Sequence, residues 1–513
     1  MTKHKVLFSF LLAAATFGNA FSQKGSDAQM ISRIREEGMS HSKVMETAFN
    51  LTDVTGPRLA NSPGLKRAQD WSVNALKTWG LVNVKREPWG KFGKGWEVQK
   101  NYAAITVPYY HAVIAIPKAW TPGTNGPIKS EVVVVKADSI VDLASYKGKL
   151  KGKIVMLNTK PLAERSFEAD ATRITDAQLS EMAAAKASAG ARPRAAGNMA
   201  ALVNFRAALS KFYVEEGVGL VLSQGRGTDG TIFTSGGRDY ADTSKTPAPE
   251  LETSSEDFQR ILRLVNAGVP VKMEAEVKTQ FFADDLQGYN VVGELAGSDK
   301  KNELVIIGGH LDSWHAATGA TDNAAGSAVM LEAMRILKSL GFKPRRTLRV
   351  VLWSSEEQGL HGSRNYVLNH YGDPKTMTLK SAQAKVSAYY NLDNGAGKIR
   401  GIYAQGNDAA GAVFKSWLEP FKDLGAATVT LNNTGSTDHI PFDAIGIPGF
   451  QFIQDRLDYG TRTHHSNQDT YDRLIEDDLK QAATVVATFV YQTSQREEMI
   501  PRKELPKPAT ATK

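Results

Sequence analysis

A chain of 513 residues exceeds what one ordinary core organises, so at least two packed units are expected. With 42% hydrophobic and 23% charged residues, it is neither a disordered polyelectrolyte nor an integral membrane protein. The formal net charge of +8 is spread thinly, and the basic pairs Lys300-Lys301 and Arg345-Arg346 stand in predicted turns without interleaved aromatics, which argues against a nucleic-acid surface.

Lys3, His4 and Lys5 precede an apolar run over 6–17 and then the small residues Gly18, Asn19 and Ala20. This pattern predicts a secretory signal peptide over 1–22 and a secreted or periplasmic protein. The run is too short to span a bilayer and no later one is longer, so no stable membrane insertion is expected. The absence of cysteine removes both a disulfide framework and a lipid-modified N-terminal cysteine.

From 27 to 79 the apolar spacing is helical, broken at Gly56-Pro57-Arg58 and resumed over 68–79. Near 125 the texture changes to short β-rich runs at 131–135, 153–157, 218–222 and 269–277, which predicts an inserted unit over 125–278. Within it the Ala-, Arg- and Lys-rich stretch 176–211, interrupted by Gly190, Pro193 and Gly197, reads as a helical excursion or a solvated insertion. From 279 onwards strands at 304–308, 347–353, 386–391, 399–404 and 449–453 alternate with helices at 324–340, 362–369 and 475–495. Such alternation predicts an α/β sandwich around a mixed, largely parallel sheet, built from 23–124 and 279–498, with a disordered tail over 499–513.

Ligands bind beyond the carboxyl ends of strands in sheets of that kind, and there the sequence is rich in His, Asp and Glu. After the first of these strands, His310 and Asp312 lie two apart and share a face of an extended chain. A metal-bound imidazole needs its second nitrogen held, which casts Asp312 as an orienting partner rather than a ligand. Asp322 precedes a helix whose Met330, Met334 and Leu337 share one face, so it is either an N-cap or a carboxylate able to bridge two metals. Glu356 and Glu357 are adjacent at a strand exit; beside a metal centre one would bind metal and the other take a proton. Asp393 follows a further strand, and His464-His465 lies in a late loop. Each cluster alone is equally a cap, a turn or a packed histidine; together, nitrogen and oxygen donors without cysteine point to catalytic zinc. A serine or thiol nucleophile is not supported, since neither a Gly-x-Ser-x-Gly elbow nor any cysteine is present.

The segments 308–313, 322–326, 355–359, 391–393 and 465–470 resemble those of the aminopeptidase and glutamate carboxypeptidase family of co-catalytic zinc peptidases. The resemblance implies a zinc-exopeptidase α/β/α fold and two zinc ions per subunit, one on His310 and Asp393, the other on Glu357 and His465, with Asp322 bridging. It implies that Glu356 is the general base, that Asp312 orients His310, and that His465 rather than His464 is the ligand. Ser436-Thr437-Asp438-His439 is similar to a stretch near the family's substrate pocket, which makes His439 a candidate oxyanion stabiliser. The insert resembles a protease-associated domain, a placement similar to the carboxypeptidase Q branch, which implies a metallo-exopeptidase acting on short peptides or dipeptides and a homodimer. Two alternatives share the scaffold: a glutaminyl cyclase-type acyltransferase, and a non-catalytic binding protein of the transferrin-receptor type, the latter disfavoured because all five ligands and the base are present.

Overall fold

The computed structural model describes residues 27–161, 166–187, 199–234, 236–237 and 240–508. The signal-peptide reading of 1–22, the centre of the 176–211 excursion and the last five tail residues lie outside them. Among the described residues no helix is long and apolar enough to cross a membrane.

An eight-stranded sheet carries the C-terminal half. Its centre is four parallel neighbours, in the order Arg346–Trp353, Lys300–His310, Val386–Asn391 and Gly449–Gln454. Gln287–Leu295 and Val82–Lys91 extend one side antiparallel; Ile399–Tyr403 and Thr428–Thr430 extend the other. Val305, Ile306, Ile307, Leu348, Val350 and Val351 are buried on both faces of the sheet, which is why these strands read as continuous apolar runs. On one face the helices Ala325–Ser339 and Glu476–Gln495 pack with Val44–Phe49 around Met330, Met334 and Val486. On the other, Tyr366 of the helix His361–His370 and Phe442 pack against Trp353 and Tyr389. The layering is the α/β/α sandwich that the alternation predicts.

A second eight-stranded sheet draws its strands from Gly95 through Phe282, a wider span than 125–278. The difference lies in one long antiparallel pair, Gly95–Val107 with Lys272–Phe282, running from Gly95 opposite Phe282 to Val107 opposite Lys272 with register shifts after Val98 and after Ile105. Glu97, Gln99, Lys100 and Asn101 interrupt the first of these strands where it faces solvent, which hides it from an apolar-run reading. The excursion is helical at Asp176–Ala184 and Met199–Glu215. Its first helix leaves the insert to pack beside Thr428–Thr430 of the other sheet, anchored by Arg173, whose Nη1 lies 2.9 Å from Asp455 and 2.7 Å from Asp478.

The tail departs from the expectation of disorder at its start. Ile500 is buried, and Arg502 donates to the carbonyls of Gly446, Gln383 and Val386 at 2.8, 2.9 and 2.7 Å. One apolar anchor and one guanidinium fork hold 499–503 against the sheet, although the composition there is that of a linker.

Candidate metal centre

His310 ends its strand, and the residues beside it in the two parallel neighbours are Trp353 and, two residues back, Asn391 opposite Gly308. The loops carrying Glu356 and Asp393 therefore leave the sheet at the same edge as His310, the position where α/β sheets bind ligands. The turn before Ala325–Ser339 is pressed against the Asp393 loop, since a Cβ at Gly326 would stand 2.2 Å from the Leu392 carbonyl oxygen. That contact brings Asp322 over the strand ends.

The two carboxylate oxygens of Asp322 face different imidazoles. Oδ1 lies 3.3 Å from His310 Nε2, and Oδ2 lies 3.1 Å from His465 Nε2. His310 Nε2 is also 3.3 Å from Asp393 Oδ1, and His465 Nε2 is 2.8 Å from Glu357 Oε2. The arrangement is two half-sites, His310 with Asp393 and His465 with Glu357, sharing one central carboxylate. His464 reaches only Asp322, at 3.8 Å, and its side chain is 46% exposed against 20% for His465.

Asp312 orients His310 by a different atom from the one expected. His310 Nδ1 donates to the main-chain carbonyl of Asp312 at 2.9 Å, while the nearest carboxylate oxygen is 3.8 Å away. The carboxylate instead accepts the amides of Glu356 (3.2 Å) and Glu357 (3.4 Å), fixing the turn that carries both. One residue thus holds an imidazole with its main chain and the two glutamates with its side chain.

The electrostatics are those of crowded, buried carboxyl groups and imidazoles. Burial pushes Glu357 up to about 7, against the pull of His465 and with repulsion from Asp322. Burial also raises Glu356 well above the usual carboxylate range, helped by Asp393, Asp438 and Glu357 and opposed by His310. His310 is raised well above 6.5: burial opposes this, but the charges of Asp393 and Glu356 and the bond to Asp322 outweigh it. Glu357 Oε1 is buried without a hydrogen-bond partner. Buried charges are costly unless paired or coordinated to metal, and donors limited to carboxylate oxygen and imidazole nitrogen suit zinc. The residues present fit that ion.

Several supporting residues are given no role by the sequence, among them Asp469, although it lies within the segment 465–470 that resembles the family's. Asp469 accepts the amides of Thr321 (2.6 Å) and Asp322 (3.1 Å) and so fixes the central carboxylate from behind; burial raises it to about 7. Arg58, fully buried, donates to the carbonyls of Leu311 (2.6 Å) and Gly319 (2.8 Å), tying the His310 and Asp322 loops together. In the sequence it marks only a helix break. The insert also reaches the centre: Thr234 donates its amide to the His465 carbonyl at 2.6 Å, and the Asn467 side chain accepts from the Ile232 amide (2.8 Å) and donates to the Gly230 carbonyl (3.0 Å).

His439 is not brought into the cluster. It is buried, its Nε2 contacts the Thr434 carbonyl (3.1 Å) and the Gln405 amide (2.6 Å), and burial lowers it to about 4; among the described residues it makes no hydrogen bond or ion pair with the cluster that would support the oxyanion role. Its neighbour Asp438 is the residue of that stretch that bears on the centre. It is fully buried, accepts from Ser363, and adds its charge to that of Asp393 against Glu356. A cavity of about 640 Å³ opens elsewhere, within the insert, lined by Arg206, Tyr213, Phe233 and Phe258 and by none of the cluster.

Residues 290–490 match the model described as peptidase family M28. The chain is 27% identical to carboxypeptidase Q of Mus musculus over 97% of this chain and 98% of that one. Among solved structures, a peptidase M28 precursor from Shewanella amazonensis SB2B aligns with a TM-score of 0.66 at 25% identity, covering 94% of this chain and 99% of that one. A zinc aminopeptidase from Bacillus subtilis shares the fold, with a TM-score of 0.55 at 20% identity over 88% of this chain and 95% of that one.

Proposed function

We propose that the chain, whose residues 290–490 match the model of peptidase family M28 and which is similar to carboxypeptidase Q over nearly its whole length, is a zinc-dependent exopeptidase of that family, an exported dizinc enzyme hydrolysing short peptides or dipeptides with Glu356 as general base. The observation that carries this reading is Asp322, whose two oxygens face two imidazoles, each paired with its own further carboxylate. His310, Asp393 and Asp322 would hold one ion, and His465, Glu357 and Asp322 the other. Zinc bound there supplies Lewis acidity and lowers the pKa of water from about 15.7 towards about 7.

Glu356 is the carboxyl group of the cluster that the two half-sites leave over. Its main chain is fixed by Asp312, and burial gives it a high affinity for a proton. Glu356 takes a proton from the attacking water and returns it to the leaving amine as the C–N bond breaks, and the second proton of the water follows it, so the peptide bond and one water become a carboxylate and an ammonium group. The mouse relative is named a carboxypeptidase and the Bacillus subtilis neighbour an aminopeptidase; splitting a dipeptide lies within both descriptions. The insert is proposed as a protease-associated domain, and the protein as a secreted or periplasmic homodimer.

Glu356→Gln tests the assignment. It is expected to keep its zinc content, measured by atomic absorption, and to lose turnover by about 10²–10⁴. Hydrolysis near the parent rate would overturn the role given to Glu356.

A further inference from the structure

A second cavity of about 260 Å³, smaller than the sites that hold drug-sized ligands and of a size for part of a peptide, is lined by none of the proposed ligands but reaches Asn394, the residue next to one of them. Asn394, the residue after Asp393, forms one wall with Tyr403 and Arg456 from the ends of neighbouring strands. Thr172, Ile174 and Gln178 of the excursion form the opposite wall.

Those walls are built rather than loosely apposed. The Thr172 amide donates to the Leu457 carbonyl at 3.2 Å, and the Ile174 amide donates to Asp455 at 2.9 Å. Asp455, fully buried, also accepts from Arg173 (2.9 Å) and Arg400 (3.1 Å). The charges of Arg173 and Arg400 are thus committed to carboxylates of the protein. Arg456 is different: among the described residues its guanidinium makes no ion pair and no hydrogen bond, although it lines the cavity. Its main chain is fixed through Asp455 on one side and, on the other, by the Tyr459 amide donating to its carbonyl at 2.9 Å. A held backbone, a free planar fork of donors and a cavity that starts one residue from a proposed metal ligand together make a receptor for a carboxylate.

We propose that this cavity receives a peptide residue bearing a carboxylate next to the scissile bond, and that Arg456 pairs with that carboxylate and sets the preference for it. The inference rests on the peptidase reading above and names its substrate class. The carboxylate has two sources, the α-carboxylate of a C-terminal residue or the side chain of Asp or Glu. Asn394 and Tyr403 line the same space with an amide and a hydroxyl for the remaining polar atoms.

The test uses the full chain loaded with zinc and four dipeptides: Ala-Ala, Ala-Ala-amide, Ala-Glu-amide and Ala-Gln-amide. Hydrogen bonds to charged groups predict a preference of roughly 10- to 100-fold in kcat/KM for the acid of one pair over its neutral partner. A preference in the first pair identifies the C-terminal carboxylate, and one in the second the acidic side chain. Arg456→Gln is expected to bring the ratio towards one mainly through KM, Arg456→Lys to keep part of it, and added salt to raise KM for the acid alone. The same pairs titrated calorimetrically into Glu356→Gln give the ratio as dissociation constants without turnover. Parent protein that hydrolyses none of the panel while its Kd ratio depends on Arg456 overturns the peptidase reading and leaves the pairing standing. A ratio near one in the parent, or a ratio that survives Arg456→Gln, overturns the pairing.

Discussion

Asp469 holds Asp322 through two amides, and no other carboxylate bonds that stretch of main chain. Removing its oxygens leaves two buried N–H groups without partners, each costing about 1–3 kcal/mol, on the turn that presents the shared carboxylate. Asp469→Ala is therefore expected to weaken zinc binding by roughly 10- to 100-fold, the usual scale for partners behind a ligand, with Asp469→Asn recovering part because one acceptor oxygen remains. Zinc titration against a chelating indicator reads both; unchanged affinity in the alanine variant would remove the role. At this scale the sequence reveals residue types and spacing but not which atom does the work. His310, Asp322, Glu356, Glu357, Asp393 and His465 are legible because they follow strands and match a family's pattern. The bond from Asp312 is legible only as a pairing with His310, since nothing in the spacing separates its carbonyl from its carboxylate. Asp469 stands within the matching segment 465–470 but its role does not show there, and Arg58 shows only as a break, because both act from distant segments on main-chain groups, which have no sequence signature.

Among the described residues the stretch 230–234 of the insert is laid against the loop 463–467 that carries His465. His465 itself has φ of 61°, a left-handed conformation uncommon for histidine, so its loop depends on outside contacts to keep it. Asn467 clamps the two segments with both ends of its amide. Asn467→Ala is expected to speed hydrogen exchange at 231–234 and, under the proposed dizinc reading, to lower the affinity for one zinc ion only, while exchange in Ala325–Ser339 and the sheet centre stays slow. Equal weakening of both ions, or no faster exchange, would show that the contact does not serve His465. The coupling is invisible in the sequence because Ile232 and Asn467 stand more than 230 positions apart and a main-chain amide is one of the two partners. The central strands, by contrast, are legible almost to the residue because burial on both faces leaves no polar position to blur them. The strand Gly95–Val107 is not, because half of it faces water.

Across the whole molecule the dominant electrostatic feature is a set of carboxyl groups buried where cations belong. Burial raises Asp438 and Asp469 to about 7 from an ordinary 3.8, and Glu357 to about 7 from 4.5. In the unfolded chain these groups release their protons near their ordinary values, so between about pH 4 and pH 7 the metal-free native state binds more protons than the unfolded one. Stability then falls as pH rises through that window: the contribution of these groups is intact below about 4 and is lost by about 7. Other carboxylates impose the opposite slope, Glu87 being held down to about 2 by His370 and Lys85 despite its burial, so comparison with a variant isolates the effect. Chelator-treated Asp438→Asn has one such group fewer and is expected to lose less stability than the parent between pH 5 and pH 8, by on the order of 2–4 kcal/mol, in urea melts at the two pH values. Zinc binds only the native state, so it restores what ionisation removes, and its stabilisation should be larger at pH 8 than at pH 5. Parallel losses in parent and variant would mean that Asp438 ionises as freely in the fold as out of it, and that the carboxylate crowding is relieved without metal.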